Sequence, residues 1–176
     1  MARKMFLTGR PGCGKTTAIQ KILDRLTDFA GGFSTGEIRS GGRRLGFRVT
    51  DLRSGEEGVL AHVDRKGRPR VSKYGVDIAA FERIGVGALR DALGRDGLIV
   101  IDEVGKMELF SGAFQDAVAA ALDSDQPVLG TVTRSRHPFL ERLKARDNVE
   151  IITVSPSNRD DLPARLAAEL KPGACD

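Results

Sequence analysis

Residues 9 to 17 read Gly-Arg-Pro-Gly-Cys-Gly-Lys-Thr-Thr, residue types with which a chain can hold polyphosphate. Gly9, Gly12 and Gly14 let the backbone curl until its N–H groups point at one centre, and Arg10, Pro11 and Cys13 fill the variable positions between them. Lys15 can reach β- and γ-phosphates, the Thr16 hydroxyl can ligand Mg²⁺, and Thr17 carries the chain onward. A chance glycine-rich turn would need neither terminal residue in place. A second pattern stands at Asp102-Glu103, directly after the apolar run Leu98-Ile99-Val100-Ile101. The first carboxylate can hold Mg²⁺, usually through water, opposite Thr16. The second can orient or deprotonate a water for attack on a γ-phosphate. Alone, an acidic pair after an apolar run reads equally as a capped, solvated strand end. Joined to a complete phosphate loop, it points to nucleoside triphosphate binding and hydrolysis.

Such residues must be delivered by strands to one edge of a sheet. Met5-Phe6-Leu7-Thr8 is a short strand before the loop, set within an expected strand of about 4–8. A helix over about 15–28 follows, with Ile19, Ile22, Leu23 and Leu26 on one face and its positive dipole end toward the loop. Strand and helix then alternate, the pattern of an α/β protein. Residues 33–63 break the rhythm with three short extended segments, read as an antiparallel hairpin inserted after the first helix. The basic stretch at 65–70 reads as an exposed turn. Asp77 is expected to cap a helix over 78–93, and Ser111 the helix after Asp102-Glu103. Strands are expected at 98–101, 127–132 and 149–154, a short helix opened by His137-Pro138, and a closing helix over 158–170 with Pro163 tolerable only near its start.

The 176 residues fit one domain, 1–170, with a frayed tail at 171–176. Lys and Arg number 28 against 24 Asp and Glu, a net charge of +4 that a solvated surface explains better than a nucleic-acid groove. With no Trp and one Tyr, base-stacking platforms would fall to Phe. Cys13 and Cys175 suggest neither disulfide nor zinc, as in a reducing cytosol, and Cys13 reads as a bystander or, alternatively, a redox-sensitive thiol at a helix start. No signal core or membrane-length apolar run is present, so a cytoplasmic protein is expected.

Five segments occur in order: the loop at 9–17, Gly-Phe-Ser-Thr-Gly-Glu-Ile-Arg at 32–39, Gly-Gly-Arg-Arg-Leu-Gly-Phe at 41–47, Ile-Asp-Glu-Val-Gly-Lys-Met-Glu-Leu at 101–109 and Ser-Asn-Arg at 157–159. Together they resemble the small nucleoside-triphosphatase family first known from thermophiles, whose vertebrate members are called cancer-related nucleoside triphosphatase. The resemblance spans nearly the whole chain. It implies a RecA-like P-loop sheet with added antiparallel strands, and slow Mg²⁺-dependent hydrolysis of several nucleoside triphosphates (ATP, GTP, CTP, UTP) to diphosphate and phosphate. By the matched motifs, Lys15 and Thr16 would hold phosphate and metal, Asp102 the metal and Glu103 the water.

Further candidates follow from position. Lys106, three residues past Glu103, can bring a cation to the γ-phosphate or stay a solvated loop lysine. Glu108 reads as a partner for Lys106 or another cation. Arg134, after a strand ending near the phosphates, can serve as an internal arginine finger, and His137 reads as a turn residue. Asn158 can hydrogen-bond a base edge and Arg159 can stack on its face; otherwise Ser157 or Asn158 caps the last helix. Arg43, Arg44 and the basic run at 65–73 suit solvated turns better than nucleic acid. A phosphotransferase acting on a nucleotide, nucleoside or polynucleotide is the rival enzyme, though no compact arginine-rich lid is evident. A nucleotide-switched binding module, with the 33–63 hairpin as partner surface, is the rival of another class.

Overall fold

The chain's structure, a computed structural model, describes residues 2–171; the rest of the expected frayed tail and Cys175 lie outside the described residues. Five parallel strands form its centre: β1 (Lys4–Thr8), β2 (Phe29–Ser40), β7 (Leu98–Val104), β8 (Val128–Val132) and β9 (Val149–Thr153), with β3 (Arg43–Asp51), β4 (Glu57–His62), β5 (Arg70–Val71) and β6 (Tyr74–Val76) added antiparallel at one side. The order across the sheet is β5-β6-β4-β3-β2-β7-β8-β1-β9. The antiparallel part is therefore larger than one hairpin. It is also continuous with the centre: the first half of β2 pairs parallel with β7, Phe33 opposite Ile101, and the second half pairs antiparallel with β3, Glu37 opposite Phe47.

The parallel strands need crossovers, and helices supply them. α1 (Lys15–Leu23) joins β1 to β2, α4 (Gly112–Asp123) joins β7 to β8, and α5 (Pro138–Lys144) joins β8 to β9. α2 (Ile78–Phe81) and α3 (Gly87–Leu93) precede β7, and α6 (Leu162–Leu170) closes the fold. Because successive side chains of a strand point to opposite faces, two apolar cores form. Met5, Leu7, Leu98 and Val100 pack against Ile19, Ile22 and Leu166 on one face. Phe6, Ile99 and Ile101 belong to the other, centred on Phe33, Phe81 and Phe114, whose rings meet edge to face at centroid distances of 5.1–5.8 Å.

Asp77 and Ser111 cap as expected, their side chains accepting from Ala80 N–H and Phe114 N–H, and His137 caps α5 by accepting from Phe139 N–H. Three helices differ from expectation. α1 stops at Leu23, where i→i+3 bonds from Arg25 and Leu26 tighten the chain into the turn before β2. The 78–93 segment carries a π-helical turn at Glu82–Val86 between α2 and α3. α6 begins only at Leu162, after turns over 156–161, with Pro163 in its first turn, where no N–H partner is lost.

Candidate functional site

The loop forms the turn from β1 into α1. Gly12 and Gly14 lie at φ 75° and 102°, backbone that favours glycine, and Gly14 is the residue on which α1 begins. The Lys15 ammonium reaches back across the loop and donates to the Gly9 carbonyl at 3.1 Å. Arg10, Pro11, Gly12, Thr16 and Thr17 are exposed, whereas Cys13 is half-buried against the α1-side core and unpaired.

β8 lies between β1 and β7, so Thr131 stands between the loop strand and the acidic pair. Its fully buried hydroxyl donates to Asp102 Oδ1 at 2.7 Å. Asp102 is 2 % exposed, and its Oδ2 is buried with no hydrogen-bond partner. Burial pushes the Asp102 carboxyl above its usual range, while the Thr131 and Thr16 hydroxyls and the Lys15 charge pull it back. An orphaned buried carboxylate oxygen costs about 1–3 kcal/mol or more. A hard divalent cation would relieve that cost. Carboxylate and hydroxyl oxygens are what Mg²⁺ takes, so Asp102 and Thr16 fit the ion.

Glu103 is half-buried beside them. Burial and then the Asp102 charge push its carboxyl up, and Lys15 lowers it. The sheet ladder to β8 is interrupted here, between Ile101 and Val104. Glu108 opens a 3₁₀ turn (Glu108–Phe110) and is 3 % exposed. Its carboxyl is pushed well above the usual range by burial, then by Glu103, with Asp102 adding to it. The expected pairing with Lys106 does not form: Lys106 lies exposed in the turn after Gly105, while the 3₁₀ turn carries Glu108 inward.

Sequence reasoning gave Glu108 no part in the site and did not single out Thr131. Glu108 had a signal in its place within the 101–109 block; Thr131 had none, because its neighbourhood to Asp102 exists only once β8 enters the sheet.

Arg134 is exposed in the bend just past β8, at the edge that carries the loop and Asp102. Asn158 is turned onto its own loop: its Oδ1 accepts from Ser155 N–H at 2.9 Å and its amide donates to Thr153 O at 2.8 Å. Neither Ser157 nor Asn158 caps α6, which starts from Asp161. Arg159 is exposed beside them.

The glycine-rich loop after β1, the acidic pair on β7 and the single strand between them form one candidate site at an edge of an α/β sheet. The chain belongs to the family described as NTPase, which it matches over residues 4–167. It is 46% identical over 168 residues to the nucleoside-triphosphatase THEP1 of Thermotoga petrophila, covering 96% of this chain and 93% of that protein. Among solved structures it resembles the crystal structure of THEP1 from the hyperthermophile Aquifex aeolicus, with TM-score 0.86, 34% identity, and 96% of this chain and 99% of the other covered. It also resembles the solution structure of a human cancer-related nucleoside triphosphatase, with TM-score 0.82, 38% identity, and coverage of 98% and 99%. No helix among the described residues is long and apolar enough to cross a membrane.

Proposed function

We propose that this chain hydrolyses nucleoside triphosphates to diphosphate and phosphate in the cytoplasm, with Glu103 activating the water. The observation that carries the reading is the partnerless buried Asp102 Oδ2 next to Glu103, one strand away from the phosphate loop. Thr16 and Asp102 would hold Mg²⁺, which when bound offsets charge on the phosphate oxygens. The loop N–H groups bind and orient the triphosphate, and Lys15 neutralises charge at the β- and γ-phosphates. Glu103 takes a proton from water as the water oxygen bonds to the γ-phosphorus and the bond to the diphosphate oxygen breaks. Burial and Asp102 raise the basicity of Glu103, which suits it to that transfer. Lys106 and Arg134 remain exposed cations able to swing toward the γ-phosphate from the turn after β7 and the bend after β8.

Base selectivity is expected to be loose. Asn158, the residue best suited to read a base edge, spends both ends of its amide on its own loop, leaving Arg159 to stack on any base. The test is phosphate release from ATP, GTP, CTP and UTP with Mg²⁺, with and without nucleoside or oligonucleotide acceptors. The four should be used within about tenfold, or about 1.4 kcal/mol in transition-state binding. A thousandfold preference would reveal a dedicated base pocket, and phosphate arriving on an acceptor would make the chain a phosphotransferase.

A further inference from the structure

Gly105 follows the last residue of β7, and its backbone is outside the left-handed region that by itself favours glycine. A side chain there would have to displace two carboxyl ends. A Cβ at this position would lie 2.6 Å from Glu103 Oε1 and 2.7 Å from Glu108 Oε2. Both carboxyl ends therefore lie against the space that a side chain at 105 would fill.

The Glu108 carboxyl lies beside Glu103, with the backbone N–H groups of Glu108 and Gly105 bonding to it. It is buried, and no cation acts on its carboxyl. Burial away from any cation favours the protonated form of a carboxyl, and in that form it can donate a hydrogen bond. Its backbone is held on several sides. Leu109 N–H bonds Gly105 O and Ser111 N–H bonds Glu108 O, both at 3.0 Å. The Ser111 hydroxyl donates to Glu82 Oε1 at 2.7 Å, tying the turn to the π-helical segment, and the Gln115 amide donates to Leu109 O at 3.0 Å. A hydrogen-bonded turn thus sets the Glu108 carboxyl beside Glu103, the member of the acidic pair that no side-chain hydrogen bond holds.

We propose that Glu108 is a positioning residue for Glu103: across the gap left by Gly105 it donates a hydrogen bond, directly or through one water, that fixes the Glu103 carboxylate in the orientation that takes a proton from the attacking water. This rests on Glu103 being the base. A glutamate side chain left to several rotamers loses the geometry on which proton transfer depends, and a misplacement of about 1 Å can cost about a hundredfold in rate.

The experiment compares Glu108→Leu, Glu108→Gln, Gly105→Ala and Glu103→Gln by kcat, KM, nucleotide affinity and thermal melting. Glu108→Leu keeps the buried volume and removes the donor; kcat should fall about tenfold to a hundredfold with KM and affinity little changed. Glu108→Gln retains a neutral donor and should recover kcat to within about threefold of the parent. Gly105→Ala puts a methyl group where the two carboxyl ends now lie and should lower kcat as Glu108→Leu does.

Parent-like kcat in Glu108→Leu or in Gly105→Ala overturns the proposal. So does a Glu108→Gln as slow as Glu103→Gln, which would make Glu108 an ionised participant instead. If Glu108→Leu fails to fold, the glutamine and alanine variants decide between these outcomes. A fast Glu103→Gln, by contrast, defeats the base assignment itself.

Discussion

Asp102 and Glu103 are adjacent yet meet different neighbours, and substitution should separate their duties. Asp102 is held by Thr131 with one oxygen left partnerless, while Glu103 is held by no hydrogen bond and sits nearer to solvent. Glu103→Gln keeps size and one acceptor oxygen but loses basicity. Single-turnover hydrolysis should fall by about 10²–10⁴, while triphosphate affinity holds or rises because a negative charge has left the surroundings of the γ-phosphate. Asp102→Asn should weaken the proposed cation site, so that affinity and rate recover in part as Mg²⁺ is raised. A Glu103→Gln that hydrolyses at the parent rate, beside an Asp102→Asn dead at every Mg²⁺ level, would remove Glu103 as base. The loop and this pair were legible in the sequence because their chemistry needs contiguous residues: a polyphosphate cradle is one turn, and two carboxylates at a strand end are one dipeptide. Glu108 was seen there only as a partner for a cation, since sequence spacing cannot show that a 3₁₀ turn folds it inward while Lys106 points out.

Strands place those residues, and β8 illustrates how. Every residue of β8 is buried, Thr131 included, so the strand is covered on both faces. Its insertion between β1 and β7 brings the Thr131 hydroxyl to Asp102. Thr131→Val keeps the branched shape and removes the hydroxyl, leaving Asp102 Oδ1 without its donor. A hydrogen bond to a charged group is worth about 1.5–3 kcal/mol, so the Mg²⁺ needed for nucleotide binding should shift about tenfold to a hundredfold. Thr131→Ser should restore it. Nucleotide titrations at graded Mg²⁺ decide the matter, and a valine variant with unaltered Mg²⁺ dependence would show that Thr131 does not orient the carboxylate.

Other elements were read less well, for local reasons. Leu23 and Leu26 keep helical spacing although the chain leaves α1 at Leu23; both still pack on the core from outside the regular helix or at its end. The start of β2 was missed because Gly31 and Gly32 interrupt its apolar alternation, hiding that one strand serves both the parallel centre and the antiparallel extension. At 78–93 the apolar period survives a π turn, so the pattern showed one helix where the backbone makes three segments.

For the molecule as a whole, concentrating Asp102, Glu103 and Glu108 at one edge couples stability to pH in a direction opposite to ordinary acid denaturation. All three carboxyls are raised above their usual values, burial being the first cause for each. In the unfolded chain they lose protons near the ordinary values of 3.8 and 4.5. In the folded chain without nucleotide they hold them to higher pH. Between those two limits the native state binds more protons than the unfolded state, so this contribution is present at acid pH and is lost as pH rises through the window. Glu37, lowered by hydrogen bonds from Arg39 and Arg44, has the opposite sign, but it is largely solvent-exposed and acts below its ordinary 4.5. Melting temperatures of the nucleotide-free protein should therefore carry a component that declines from about pH 4.5 toward neutrality, and Glu108→Gln should flatten that decline by removing the most strongly raised of the three. The difference between parent and variant reports Glu108 together with its coupling to Glu103. A parent-minus-variant difference that grows as pH rises would mean that Glu108 is stabilised as an anion. The same edge is thus most costly to fold at the pH where its carboxylates are ionised and useful, and triphosphate with Mg²⁺, binding only the folded ionised site, should return stability there by mass action.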